Sequence, residues 1–129
     1  MRVTIMSGIP GSGKSTWIKN NLPDACVFSA DTFFERNGKY EFKRDSLKDA
    51  HHACLRDFVY DLNASQVERF GFKEDLVIDN TNTTAIEIAP YAALALAYCH
   101  ELQIVTLLCP LEVAFKRQTH GVPFKSMAY

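Results

Sequence analysis

The chain has 129 residues, of which 47% are hydrophobic and 22% charged, with a formal net charge of −1. Those values fit one soluble globular domain, large enough to bury about two-thirds of its unfolded surface. No apolar run approaches the ~20 residues that span a bilayer and no signal peptide opens the chain, so a cytoplasmic protein without a membrane partner is expected.

Arg2 to Met6 alternates Val3 and Ile5 with other residues and predicts a first strand. Gly8-Ile9-Pro10-Gly11-Ser12-Gly13-Lys14-Ser15 follows and matches G-x-x-x-x-G-K-[ST] at every fixed position. Thr16 to Asn21 continues as a helix that ends at Leu22-Pro23-Asp24. Chemistry explains the pattern. Glycines let several backbone N–H groups turn toward one anion, and a helix N-terminus adds its dipole to the same point. Lys14 reaches the outer phosphates, and the Ser15 hydroxyl can hold Mg²⁺. Residues 8–16 therefore predict a nucleoside triphosphate site.

Ala25 to Ala30 predicts a second strand with Asp31 at its C-terminal end, on the rim where open α/β sheets take ligands. The excursion 33–44 has no helical period; it mixes Phe33, Phe34, Tyr40 and Phe42 with Arg36, Lys39, Lys43 and Arg44, around an Asn37-Gly38 turn. Two readings stay open. Aromatic and basic residues together can grip single-stranded nucleic acid, or the aromatics pack beneath the excursion and its charges are simply solvated.

From Asp45 or Ser46 a helix should run to about Phe70, with Leu47, Ala50, Cys54, Phe58 and Leu62 on its apolar stripe and Asn63-Ala64-Ser65 as an interruption. Gly71 closes it. His51 and His52 are adjacent, hence about 100° apart on a helix and ill-placed to share a metal; a surface or capping role is expected. Asp75 to Ile78 is a third strand running into Asp79-Asn80-Thr81-Asn82. Asp79 either organises Mg²⁺ with Ser15 or caps the turn before the next helix. Thr83 or Thr84 caps that helix, Pro90 starts or kinks its main part, and Ala89 to Cys99 reads as buried. Gln103 to Cys109 is a fourth buried strand, and Leu111 to Thr119 a short helix before the His120-Gly121-Val122-Pro123 turn.

Cys26, Cys54, Cys99 and Cys109 show no C-x-x-C spacing and are expected as free, mostly buried thiols. Charge is uneven. Phe33 to Lys48 carries +2 and Lys116 to Tyr129 carries +3, leaving −6 for the rest. Two basic segments on an acidic body suit a phosphorylated partner.

Alternation of strand and helix predicts an α/β domain over residues 1–129: a phosphate-loop NTPase-type three-layer αβα arrangement with a mainly parallel sheet of about four strands.

GIPGSGKST (8–16), SADTFF (29–34), Tyr40-Glu41-Phe42 with Ala50-His51, VIDNTN (77–82) and KRQTHGVP (116–123) stand in this order along nearly the whole chain. In that set the sequence resembles phage-type polynucleotide 5′-hydroxyl kinases, and more closely the small phosphate-loop ATPase/kinase domains of the NEDD-binding-protein type. The resemblance implies ATP and Mg²⁺ as cofactors and transfer of the γ-phosphate to a hydroxyl, foremost a nucleic-acid 5′ end. It implies Asp31 as general base, Lys14 on the β- and γ-phosphates, and Arg117 in a short C-terminal lid over 112–123. ATP would be held by Gly8 to Thr16 with Arg117, the metal by Ser15 and Asp79, and the acceptor by Phe34, Arg36, Asn82 and His120. Phe34 stands where the phage-type kinases have an arginine, and the lid offers Arg117 with Lys116 and His120 in place of two arginines. A small-molecule kinase, for a nucleoside or nucleotide, and a nucleotide-dependent switch with little transfer are the alternatives.

Overall fold

The computed structural model describes residues 1–36, 38–67 and 75–117. Its elements in chain order are β1 (Arg2–Ser7), α1 (Lys14–Asn21), β2 (Cys26–Phe28), a 3-10 turn (Ala30–Phe34), the strands β3 (Glu35–Arg36) and β4 (Lys39–Tyr40), a second 3-10 turn (Arg44–Ser46), α2 (Leu47–Val67), β5 (Asp75–Asp79), α3 (Ala85–Ala97), β6 (Glu101–Thr106) and α4 (Leu111–Arg117). Four strands form one parallel sheet in the order β2-β5-β1-β6, and β3 pairs with β4 as a separate antiparallel hairpin.

The two central strands are buried along their middles, Val3 to Met6 in β1 and Leu76 to Ile78 in β5, because helices cover both faces of a parallel sheet. Strand alternation sends Val3, Ile5, Leu76 and Ile78 to one side, against Ala50, Cys54, Phe58 and Leu62 of α2 and Tyr91 and Ala95 of α3. It sends Met6 and Val77 to the other, against Ile18 and Leu22 at α1. This is the three-layer α/β fold expected from the alternation of elements.

The spacing of Ala50, Cys54, Phe58 and Leu62 puts one residue per turn on the sheet, and all four are buried. Helix α2 passes through Asn63-Ala64-Ser65 without the expected interruption, running on to Val67 after its apolar stripe is anchored as far as Leu62. Its expected end near Phe70 and Gly71 lies outside the described residues. His51 and His52 are exposed.

Helix α3 is opened by a capping box: Glu87 N–H donates to Thr84 Oγ1 (3.3 Å), and Thr84 N–H donates to Glu87 Oε2 (3.4 Å). The cap fixes the start at Ala85, so Pro90 lies inside the helix rather than at its head. The helix is not buried all round. Tyr91 and Ala95 face the core, while Ile86 is 86% and Leu96 60% exposed, because α3 lays one face on the sheet. Strand β6 is likewise half-exposed rather than buried: it is the last strand of the sheet order, and Ile104 is 49% exposed. All four cysteines are free, but only Cys54 is buried and Cys99 is exposed, against the expectation of mostly buried thiols. None of the described helices is long and apolar enough to cross a membrane.

Candidate active site

The chain leaves β1 at Ser7 and turns through the glycine-rich loop into α1. Gly8 leaves little room for a side chain: a Cβ there would stand 2.5 Å from Ser12 Oγ and 3.1 Å from the Leu107 carbonyl oxygen, so the loop would have to shift. Gly11 and Gly13 adopt φ of 82° and 101°, open to glycine without strain. Gly13 is also the N-cap of α1, and no side chain caps that end. The first N–H groups of α1 are thus left for an anion. Ser12 is buried, and its hydroxyl has no hydrogen-bond partner among the described residues. A buried unmatched hydroxyl in the loop that leads into this uncapped helix N-terminus fits a ligand rich in acceptor oxygens. Ile9 and Pro10 are half-buried, and Thr16 is exposed on the first turn of the helix.

Lys14 folds over this loop, its Nζ donating to the carbonyls of Gly8 (2.7 Å) and Ile9 (3.1 Å). Burial pushes its ammonium below the usual lysine range, while the carboxylates of Asp79 and then Asp31 oppose the shift. Those two carboxylates therefore act on one cation at the C-terminal ends of β5 and β2. Ser15 Oγ donates to Asp79 Oδ2 at 3.4 Å. A hydroxyl paired with a carboxylate suits Mg²⁺, which takes few protein oxygens and fills its remaining positions with water and phosphate. Among the described residues no group of three or more His, Cys, Asp or Glu forms an all-protein metal cage.

Asp31 sits in the 3-10 turn after β2. Its N–H donates to Ser29 Oγ (3.2 Å), and the preceding N–H of Ala30 donates to Asn80 Oδ1 (2.8 Å). Asn80 Nδ2 in turn donates to Cys54 Sγ of α2 at 3.6 Å. Asp31 Oδ1 accepts a hydrogen bond from the Tyr40 hydroxyl at 3.1 Å. A second latch ties the exit of β5 to the phosphate loop. Gly8 N–H donates to the Thr81 carbonyl (2.8 Å), the Ser7 hydroxyl to the Asn82 carbonyl (2.8 Å), and Asn82 Nδ2 to the Met6 carbonyl (2.8 Å).

These distances correct two expectations. Asn82 is 3% exposed with its amide turned inward, so it braces the loop and does not reach an acceptor. Phe34 is also 3% exposed, packed against Phe33, Tyr40 and Phe42 with ring centroids 5.5, 6.1 and 5.1 Å away. Aromatic packing has claimed it for the core of the excursion. Phe33 and Phe42 remain 38% and 50% exposed, beside exposed Lys39, Lys43 and Arg44. Arg36 ends β3. Arg117 closes α4 and meets the phosphate loop: its Nη2 would stand 3.2 Å from a Cβ on Gly13, and Nη1 donates to Cys109 Sγ at 3.8 Å. His120 and the rest of the expected lid lie outside the described residues.

Reading the sequence missed Tyr40 as a partner of Asp31 and Asn80 as the acceptor for the Ala30 N–H that precedes it. Asn80 left a signal, because an amide at the exit of an apolar strand tends to satisfy backbone groups nearby.

The family comparisons agree with this geometry. A family described as "AAA domain" matches residues 3–120. Human NEDD4-binding protein 2 is 34% identical over 97 residues, covering 72% of this chain but only 5% of that protein. Among solved structures, a chain of the Pnkp1/Rnl/Hen1 complex superposes with a TM-score of 0.67 at 17% identity, over 95% of this chain and 40% of that one. The Mycobacterium tuberculosis APS kinase CysC, solved with AMPPNP and APS, superposes with a TM-score of 0.56 at 18% identity, over 90% of this chain and 67% of that one. The chain thus spans a small part of its human relative and shares its fold with the two solved structures. It belongs to the AAA domain family, whose model matches residues 3–120.

Proposed function

We propose that this domain is an ATP-dependent phosphotransferase that moves the γ-phosphoryl group of ATP to a hydroxyl, foremost the 5′-hydroxyl of a nucleic acid. The observation that carries the reading is the convergence of Lys14, Asp79 and Asp31 on one rim of the sheet, beside an uncapped helix N-terminus. A site that only bound ATP would need the loop and the metal pair. It would have no use for a second carboxylate within the field of the same lysine.

The loop N–H groups and the Ser12 hydroxyl hold phosphate oxygens, and Lys14 leaves the Gly8 and Ile9 carbonyls to pair with the outer phosphates. Ser15 and Asp79 would hold Mg²⁺, which supplies charge compensation when bound. Asp31 takes the proton of the acceptor hydroxyl as its oxygen bonds to the γ-phosphorus, and the bond from that phosphorus to the bridging oxygen breaks to release ADP. Arg117, already against Gly13, adds positive charge beside the phosphate loop. Exposed Phe33 and Phe42 with Lys39, Lys43 and Arg44 favour an acceptor with bases and phosphates.

The test incubates the protein with γ-labelled ATP, Mg²⁺ and a panel of 5′-hydroxyl DNA, 5′-hydroxyl RNA and nucleosides. Label on either polynucleotide is expected. Label confined to a nucleoside would replace the acceptor class, and no label on any acceptor despite ATP binding would favour a switch.

A further inference from the structure

We propose that Tyr40 is a positioning residue for Asp31: its phenol, delivered by the β3–β4 hairpin, fixes the carboxylate at the angle from which it meets the acceptor hydroxyl. The inference rests on the kinase reading above and adds a residue that reading does not use.

Backbone anchoring alone leaves a carboxylate free to rotate. The Asp31 main chain is held by Ser29 Oγ on its own N–H and by Asn80 on the N–H of Ala30. The Tyr40 hydroxyl, 3.1 Å from Oδ1, is placed to help fix the two side-chain torsions that orient the carboxylate. An ionised carboxylate has about four lone-pair sites, so accepting from Tyr40 does not by itself block an acceptor hydroxyl.

Tyr40 is itself braced for this task. Its ring meets Phe34 edge-on at 6.1 Å, its backbone pairs with Glu35, and the next N–H, of Glu41, donates to the Phe34 carbonyl at 2.8 Å. Phe34 belongs to the same 3-10 turn as Asp31. The hairpin is therefore tied to the turn that carries the carboxylate by ring, ladder and loop. Burial, followed by the carboxylates of Asp31 and Glu35, pushes the phenol well above its usual range, so it remains a donor through neutral pH. Because β3 and β4 have two residues each, the hairpin gains little stability from its own ladder and depends on these attachments.

The test is a double-mutant cycle in the transfer assay with a 5′-hydroxyl oligonucleotide: parent, Tyr40→Phe, Asp31→Asn and the double variant, with ATP KM and Tm measured alongside. Tyr40→Phe keeps the ring and removes only the hydroxyl. We expect it to lower kcat about tenfold, to leave ATP KM and Tm unchanged, and to have no further effect in the Asp31→Asn background. A tenfold loss in both backgrounds, a fall in Tm that accounts for the loss, or an unchanged kcat overturns the positioning role alone. Full turnover by Asp31→Asn removes the base role of Asp31 and this inference with it, whereas no transfer by the parent protein overturns the kinase reading on which both rest.

Discussion

Asn82→Ala gives the sharpest test of how the loop is braced. The substitution removes the amide that donates to the Met6 carbonyl at 2.8 Å, from a residue 3% exposed. Losing a buried hydrogen bond of this kind costs about 1–2 kcal/mol. Asn82 also holds φ at 47°, in the left-handed region that asparagine tolerates and alanine does not, which adds about 1 kcal/mol. The total of roughly 2–3 kcal/mol corresponds to a Tm loss on the order of 6–15 °C for a domain of this size. Asn82→Gly separates the two contributions: it loses the hydrogen bond but accepts the backbone angle, so it should melt above Asn82→Ala. Thermal and urea melts of the three proteins without nucleotide provide the assay. An Asn82→Ala protein as stable as the parent would refute the latch, and equal melting of the alanine and glycine variants would refute the backbone argument.

The remaining predictions concern the site. Because burial lowers the Lys14 pKa from its ordinary 10.5, the unfolded chain binds that proton more tightly than the folded one. Stability without nucleotide should then rise as pH climbs from the lowered value toward 10.5, and Lys14→Met should flatten that rise in melts across the alkaline range below pH 10.5. Arg117→Ala should lower kcat more than it weakens ATP binding, because charge compensation strengthens in the transition state; equal kcat with poorer binding would make Arg117 a ground-state contact. Asp79→Ala should raise the Mg²⁺ concentration needed for half-maximal transfer, and an unchanged Mg²⁺ titration would remove Asp79 from the metal site.

How much of this was legible in the chain varies by element. The strand, loop and helix from Arg2 to Asn21 follow from local chemistry, since the glycines and Lys14 carry their own geometric demands. The α2 stripe was legible because its period matches the helix. Strand order was not, because nothing in Glu101–Thr106 distinguishes an edge from a centre until neighbours are assigned. The same limit applies to Asn80, Asn82 and Tyr40. Each acts on a partner 9 to 76 residues away, Asp31 for Tyr40, Cys54 and Ala30 for Asn80, Met6 for Asn82. The asparagine pairings exist only once the sheet has brought β1, β2 and β5 side by side, and that of Tyr40 only once the separate β3–β4 hairpin has formed. Phe34 misled for a related reason: an aromatic in a basic stretch looks available until its three ring neighbours are in place.

The central claim is that Asp31 takes a proton during phosphoryl transfer, and Asp31→Asn tests it most directly. Asparagine keeps the size of the side chain and can still accept from Tyr40, but it cannot act as the base. ATP affinity and transfer rate should be measured on the same folded preparation. The account predicts affinity close to the parent's with transfer reduced by roughly 100-fold or more. Transfer at the parent's rate would contradict it.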